Sequence, residues 1–199
     1  MSAEFVMPPM PPGTEDIEDF ADREIATMCD PKPKPGTKRF RDFILREFPG
    51  TKDLGIERKC DAQHDEHEEG RAWDVGCSIP VAEKIIEYVL QPDSSGHAMA
   101  VARRSGLMYM IHNREMWRAY PWEGRPAGTW GPYKGEDDHT THIHFSFTRA
   151  GGAGATSFYQ WLEDSAPGPG GSGPPGGIIA VCGVLLVVGG IAAAWHHYG

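Results

Sequence analysis

The stretch His142-Ile143-His144-Phe145-Ser146-Phe147 alternates polar and apolar residues without a break. Successive side chains of a β-strand point to opposite faces, so His142, His144 and Ser146 share one face and Ile143, Phe145 and Phe147 the other. The isoleucine and phenylalanine face must be buried. The opposite face carries two imidazoles side by side and must border a cleft or solvent. Such a strand demands a sheet with one covered side and one open, histidine-bearing side. A slip of one residue in its pairing would bury the imidazoles and expose the phenylalanines.

The rest of residues 37–150 supplies the cover. In TKRFRDFILREF, residues 37–48, Phe40, Phe43, Ile44 and Phe48 recur at helical spacing before Pro49-Gly50 stops the run. PVAEKIIEYVL, residues 80–90, repeats the pattern with Val81, Ala82, Ile85, Ile86, Val89 and Leu90, and Pro80 suits a first helical turn. GLMYMIHN reads as a buried strand ending in a turn. The mixed order predicts an α+β domain, a mainly antiparallel sheet flanked by helices. RAWDV, GLMYMI and THIHFSF should lie in that sheet, with both amphipathic helices on its Ile143/Phe145/Phe147 side.

Composition marks off the flanks. Residues 1–36 are proline-rich and acidic, with one short candidate helix around Ile17–Met28, and are expected to be disordered or loosely attached. Residues 151–176, including APGPGGSGPPGG, read as a flexible linker. Residues 177–195, GIIAVCGVLLVVGGIAAAW, carry no charge. As a helix they would span roughly 28 Å, close to the hydrocarbon thickness of a bilayer. The expectation is a C-terminal transmembrane helix and a single-pass membrane anchor. Trp195 and Tyr198 would sit at the interface, and Gly183, Gly189 and Gly190 would allow helix–helix association. The side of the membrane that holds the domain is left open.

The formal net charge of -9 excludes a general nucleic-acid-binding surface, which needs clustered Lys and Arg. Cys29, Cys60 and Cys77 lack the CxxC spacing of a zinc ribbon, and no secretory signal accompanies them. Reduced thiols are the expectation, with a Cys29–Cys60 or Cys60–Cys77 bridge as the alternative.

His67 and Asp74 stand seven apart in EHEEGRAWDVG, residues 66–76. On one helix they would lie roughly 10 Å apart along the axis, too far to share an ion with bonds of about 2 Å. Gly70 offers a bend. If RAWDV then runs as a strand, Ala72 and Asp74 point one way, and Arg71, Trp73 and Val75 the other. His67 can then curl back over Asp74. With His139 just upstream of His142 and His144, spacing alone leaves a metal site and a simple packed or solvated histidine face both open.

HEEGRAWD followed by HTTHIHFSF resembles the zinc peptidases of the lysostaphin, D-Ala-D-Ala peptidase and hedgehog superfamily, whose signature is His, six residues, Asp, and later His-x-His. Residues 37–149 are also similar to a domain of actinobacterial and phage proteins with Gly-Arg-Ala-x-Asp, an Ile-to-Trp strand (here Ile111 to Trp117) and His-x-x-His-x-His. The resemblance implies zinc held by His67, Asp74 and His144, with His142 and His139 as catalytic residues. Arg71 and Asn113 are candidate substrate-binding residues, with Arg114 and Trp117 more readily explained by surface exposure or packing. Carboxypeptidase relatives place a glutamate base three residues before the last ligand. Thr141 stands there in this chain, which passes base duty to His139, His142, Asp138 or Glu136 and favours an endopeptidase-like subtype.

The implied function is a zinc-dependent peptidoglycan peptidase, in a phage setting an endolysin, with the peptidoglycan peptide as partner. The competing expectation is a non-catalytic zinc-binding cell-wall or virion protein with the same fold.

Overall fold

The Phe40, Phe43 and Ile44 repeat forms helix α1 (Pro35–Glu47), with Pro35 at its start, where an N–H would have no intrahelical partner. The chain is described here from a computed structural model covering residues 5–61 and 64–166. After α1 come β1 (Lys52–Gly55), β2 (Ala72–Gly76), α2 (Ile79–Leu90), α3 (Ala100–Ser105), β3 (Leu107–His112), β4 (Glu115–Arg118), β5 (Thr129–Pro132), β6 (His142–Phe147), α4 (Arg149–Ala153) and α5 (Ser157–Asp164). The strands form one six-stranded sheet in the order β1-β2-β6-β3-β4-β5, with every neighbouring pair antiparallel. This is an α+β fold with an antiparallel sheet flanked by helices.

Alternation decides which side of the sheet is covered. Trp73, Val75, Ile143, Phe145 and Phe147 are fully buried. Phe40 of α1 packs edge-on against Phe145 at 5.3 Å and Phe147 at 5.0 Å between ring centroids. Phe43 stacks on Tyr88 of α2 at 5.6 Å and meets Phe158 of α5 at 5.6 Å. A single phenylalanine of this kind contributes about 3–5 kcal/mol when judged by truncation to alanine. The aromatic layer therefore fixes which face of β6 turns inward.

Four expectations need correction. The segment before α1 is irregular, without the helix expected around Ile17–Met28, yet it is packed on the domain. Phe5 lies 5.6 Å from Phe48, and Tyr88 Oη donates to the Pro9 carbonyl at 2.9 Å. The Asp30 and Lys34 amides donate to the carbonyls of Glu68 (2.7 Å) and Gly70 (2.9 Å). A proline-rich segment cannot pair its own backbone groups regularly, and here the domain's side chains and loops pair them instead. Gly70 is required at this crossing. Its φ is +64°, and a Cβ there would collide with the Lys32 carbonyl oxygen.

The cysteines differ as well. Cys29 and Cys60, with Cα atoms 5.8 Å apart, form a disulfide that ties the arm to the loop after β1. Cys77 is free, and burial pushes its thiol up to about 11. At the other end the domain runs past residue 150, because α5 places Phe158 and Tyr159 in the core. The expected transmembrane helix is not carried forward: among the described residues no helix is long and apolar enough to cross a membrane, and residues 177–195 lie outside them.

Asp93 ties the loop after α2 to α3 and to the arm. Its carboxylate accepts the Ser95 and His97 amides, each at 3.0 Å, and the Arg104 guanidinium at 3.2 Å. Arg104 in turn donates to Thr14 at 3.1 Å. Burial opposes ionisation of Asp93, but the His97 amide and Arg104 outweigh it and hold its pKa at about 2, below the ordinary 3.8. A depressed folded-state pKa contributes stability that is present above the unfolded value and lost as pH falls through the folded one. Urea unfolding should therefore show wild type more stable than Asp93→Asn at neutral pH, with the gap shrinking from about pH 4 downward and closing as the pH passes below about 2.

Candidate metal centre

The β2–β6 pairing sets Asp74 directly opposite His144 on the open face of the sheet. His67 reaches the same point from the turn before β2, where the Gly70 amide donates to the His67 carbonyl at 3.0 Å and the Arg71 amide to the Glu66 carbonyl at 3.0 Å. That turn folds His67 back over Asp74. His144 Nδ1 lies 2.9 Å from Asp74 Oδ1, His67 Nε2 lies 3.3 Å from Asp74 Oδ2, and the two ring nitrogens are 3.2 Å apart. Donor atoms around a tetrahedral ion with bonds of about 2.0–2.1 Å are separated by roughly 3.3 Å. The three groups thus already stand at coordination spacing.

Their outer partners settle which atoms face the centre. The Ile56 carbonyl can only accept, so His67 Nδ1, 2.8 Å away, carries the hydrogen and Nε2 the lone pair. His144 Nε2 is 2.8 Å from Ser146 Oγ, a hydroxyl that can accept from it and so leave Nδ1 as the lone-pair nitrogen. Two lone pairs and a carboxylate this close repel one another unless a proton or a cation lies between them. His67, Asp74 and His144 form a buried His/Asp group that could hold a metal ion. The hydrogen bonds that orient ligating imidazoles are the usual support of such sites.

With a proton rather than a cation between the groups, the imidazoles act as hydrogen-bond donors to Asp74. Burial alone would raise the Asp74 pKa, but hydrogen bonds from His144 and His67 outweigh it and hold the carboxyl well below the usual range. Burial lowers His144 more than Asp74 raises it, whereas for His67 Asp74 overcomes burial and the net shift is upward. Tyr109 adds a wall that the sequence reading missed. Its ring stacks on His144 at 5.6 Å, and its hydroxyl donates to Glu66 at 2.6 Å. The available signal was a tyrosine hydroxyl inside the apolar run LMYMI; its pairing in register with Ser146 puts it beside the histidine face.

His139 and His142 stand beside the three. They share a cleft of about 250 Å³ with Asp74, His144, Tyr109, Ile111, Tyr133, Arg58, Asp65 and Asp137. His139 is buried, and its ring lies 4.6 Å from that of His142 and 6.0 Å from that of His144. Its Nδ1–H donates to the Asp137 carbonyl at 2.6 Å, leaving Nε2 with the lone pair. Burial holds His142 below the ordinary histidine range, against the pull of Asp74. Thr141 is exposed and offers its hydroxyl to His142 only at 3.5 Å.

The two expected substrate-binding residues are not brought to this cleft. Arg71 is 1% exposed; its guanidinium binds Glu69 at 2.6 Å, the Phe147 carbonyl at 2.6 Å and the Glu24 carbonyl at 2.7 Å. It clamps the N-terminal arm to the end of β6. Asn113 and Arg114, at φ +48° and +68°, make the left-handed two-residue turn between β3 and β4. Their amides donate to the His139 and Asp138 carbonyls, each at 2.9 Å, so Asn113 steadies the histidine loop through its backbone. The Arg114 side chain pairs with Asp138 at 2.5 Å near the surface, and Trp117 is core.

A family model for the VldE C-terminal domain matches residues 29–144, from the first disulfide cysteine to the last of the clustered histidines. The chain belongs to the VldE C-terminal domain family. The matched VldE interval contains His67, Asp74, His139, His142 and His144, the whole of the cluster. No curated protein and no solved structure matches the chain.

Arg71 offers a direct check on this reassignment. Replacing it with methionine takes from the buried Glu69 carboxylate its closest ion partner, leaving Arg149 at 3.2 Å and the Thr27 and Met28 amides, and also unpairs the Phe147 and Glu24 carbonyls, a loss of about 3 kcal/mol. Thermal melting of Arg71→Met should fall by on the order of 10 °C. An unchanged Tm, with only weaker substrate binding, would return Arg71 to a recognition role.

Proposed function

We propose that this protein is a zinc-dependent peptidase that hydrolyses a peptide bond in peptidoglycan. The observation that carries the reading is the division of labour among the clustered side chains. His67, Asp74 and His144 converge at 2.9–3.3 Å with their outer hydrogen bonds already made. His139 and His142 line the same cleft outside that triplet. Two imidazoles and one carboxylate are a donor set suited to catalytic zinc, which keeps a further position open. When bound, zinc supplies Lewis acidity toward water and an amide carbonyl.

The chain's own residues do the rest. His142, next to the ligand pair on β6, accepts a proton from the attacking water and can return it to the leaving amine. His139, its ring locked by the Asp137 carbonyl, presents Nε2 to the same space and stabilises charge there. Asp65 and Tyr109 line both this cleft and a neighbouring one of about 890 Å³, which gives an extended substrate room to lie across the centre. The peptidoglycan target follows from the resemblance to the lysostaphin, D-Ala-D-Ala peptidase and hedgehog superfamily in HEEGRAWD and HTTHIHFSF.

The test is product mass on purified peptidoglycan, with zinc content measured on the same samples. Zinc-loaded protein should release peptide fragments with new termini, and a chelator should stop the release. His142→Ala should keep its zinc and lose about 10²–10⁴-fold in rate. His144→Ala should lose both metal and activity. Zinc-loaded protein that yields no fragments, or equal rates for wild type, His142→Ala and His139→Ala, would end the peptidase reading and leave a zinc-binding wall or virion protein.

A further inference from the structure

Beside the first centre lies a second set of donors that shares no residue with it. Asp137, His139 and His142 each bring one donor atom to within 4.8 Å of the others. We propose that these three residues form a second, weaker divalent-cation site that takes a borderline dication such as zinc and, when filled, withdraws both imidazoles from proton transfer. The binding claim stands on its own geometry; the withdrawal clause rests on the peptidase reading.

His139 is prepared for a ligand in the same way as His67. In both, Nδ1–H is committed to a main-chain carbonyl, Ile56 for His67 and Asp137 for His139, so that Nε2 keeps its lone pair. The His139 backbone sits at φ +49°, a left-handed conformation that is strained for a non-glycine residue. It is held there from two sides. The His139 amide donates to Asp137 Oδ1 at 2.9 Å, and its carbonyl accepts the Asn113 amide at 2.9 Å. The ring is packed edge-on against Tyr133 at 5.1 Å.

His142 supplies the second nitrogen donor. Among the described residues its ring has one hydrogen-bond partner, Thr141 Oγ1, at the 3.5 Å limit. A half-buried imidazole with so weak a partner is free to turn toward an ion. Asp137 supplies the negative charge. Two nitrogens and one carboxylate oxygen select zinc, cobalt or nickel over magnesium or calcium, which favour all-oxygen sets.

The second site is weaker for physical reasons visible in the same residues. The Asp137 side chain is 66% exposed against 19% for Asp74, so water competes for it and screens its charge. A dication already held by His67, Asp74 and His144 also repels the newcomer across a short distance.

Titration of the metal-free full chain with zinc, followed by calorimetry and by elemental analysis of the bound metal, tests this. Wild type should show a tight step and a second step at least about tenfold weaker. Asp137→Asn keeps an acceptor for the His139 amide and removes the charge; His139→Ala removes a donor. Each should leave the tight step in place, which also reports a folded domain, and weaken the second by about tenfold or abolish it. A single step, or a second step unchanged in both variants, overturns the proposal and assigns any extra zinc to other groups such as His196 and His197. Peptidoglycan hydrolysis should fall as free zinc passes the second step in wild type and hold steady over that range in Asp137→Asn. Undiminished hydrolysis with the second site filled would overturn the withdrawal clause. Two steps altered as expected but without any hydrolysis would support the second site and count against the peptidase reading.

Discussion

The pairing of Asp74 with His144 across β2 and β6 is the constraint on which the centre depends. It exists because Trp73, Val75, Ile143 and Phe145 must all turn to the helix-covered side, and period-two alternation then sends Asp74 and His144 to the other. Burial of the aromatic layer therefore fixes the distance between two groups that never touch it. The carboxylate and the imidazole stand 2.9 Å apart across the two strands, a spacing that the register of the sheet imposes.

The third candidate ligand is positioned by a different device. His67 lies on no strand, and its place depends on the left-handed Gly70, the Ile56 carbonyl and the arm that crosses at Lys32. The Cys29–Cys60 disulfide and the Arg71 clamp hold that arm down. Segments that look peripheral in sequence thus bear on the metal centre through the turn before β2. The same holds on the far side, where the Asn113-Arg114 turn supports the loop of His139 by main-chain hydrogen bonds.

Periodicity made the central part of this readable. The α1, α2, β2, β3 and β6 segments carry their burial in their own residue patterns, and the facing of His142, His144 and Ser146 follows from alternation alone. The arm was not readable, because residues 5–34 have no period and owe their placement to partners such as Glu69, Tyr88 and Arg104 far along the chain. Proline and acidic composition signal disorder unless such partners are known. Arg71 was misassigned for a related reason: a motif arginine beside a ligand suggests substrate, and only the fold reveals that Glu69 and two carbonyls consume its donors. Asn113 misled likewise, its value lying in a left-handed backbone rather than in its amide side chain. The membership of residues 29–144 in the VldE C-terminal domain family places the whole histidine cluster within one family domain.

The central claim is that His67, Asp74 and His144 together hold one zinc ion. X-ray absorption at the zinc edge, on the full chain loaded with a single equivalent, tests it most directly. The account predicts a first shell of nitrogen and oxygen only, at about 2.0–2.1 Å, with the outer-shell signature of two imidazoles, and its loss in His144→Ala. A sulfur scatterer near 2.3 Å, or an unchanged spectrum in His144→Ala, would place the metal elsewhere and contradict the account.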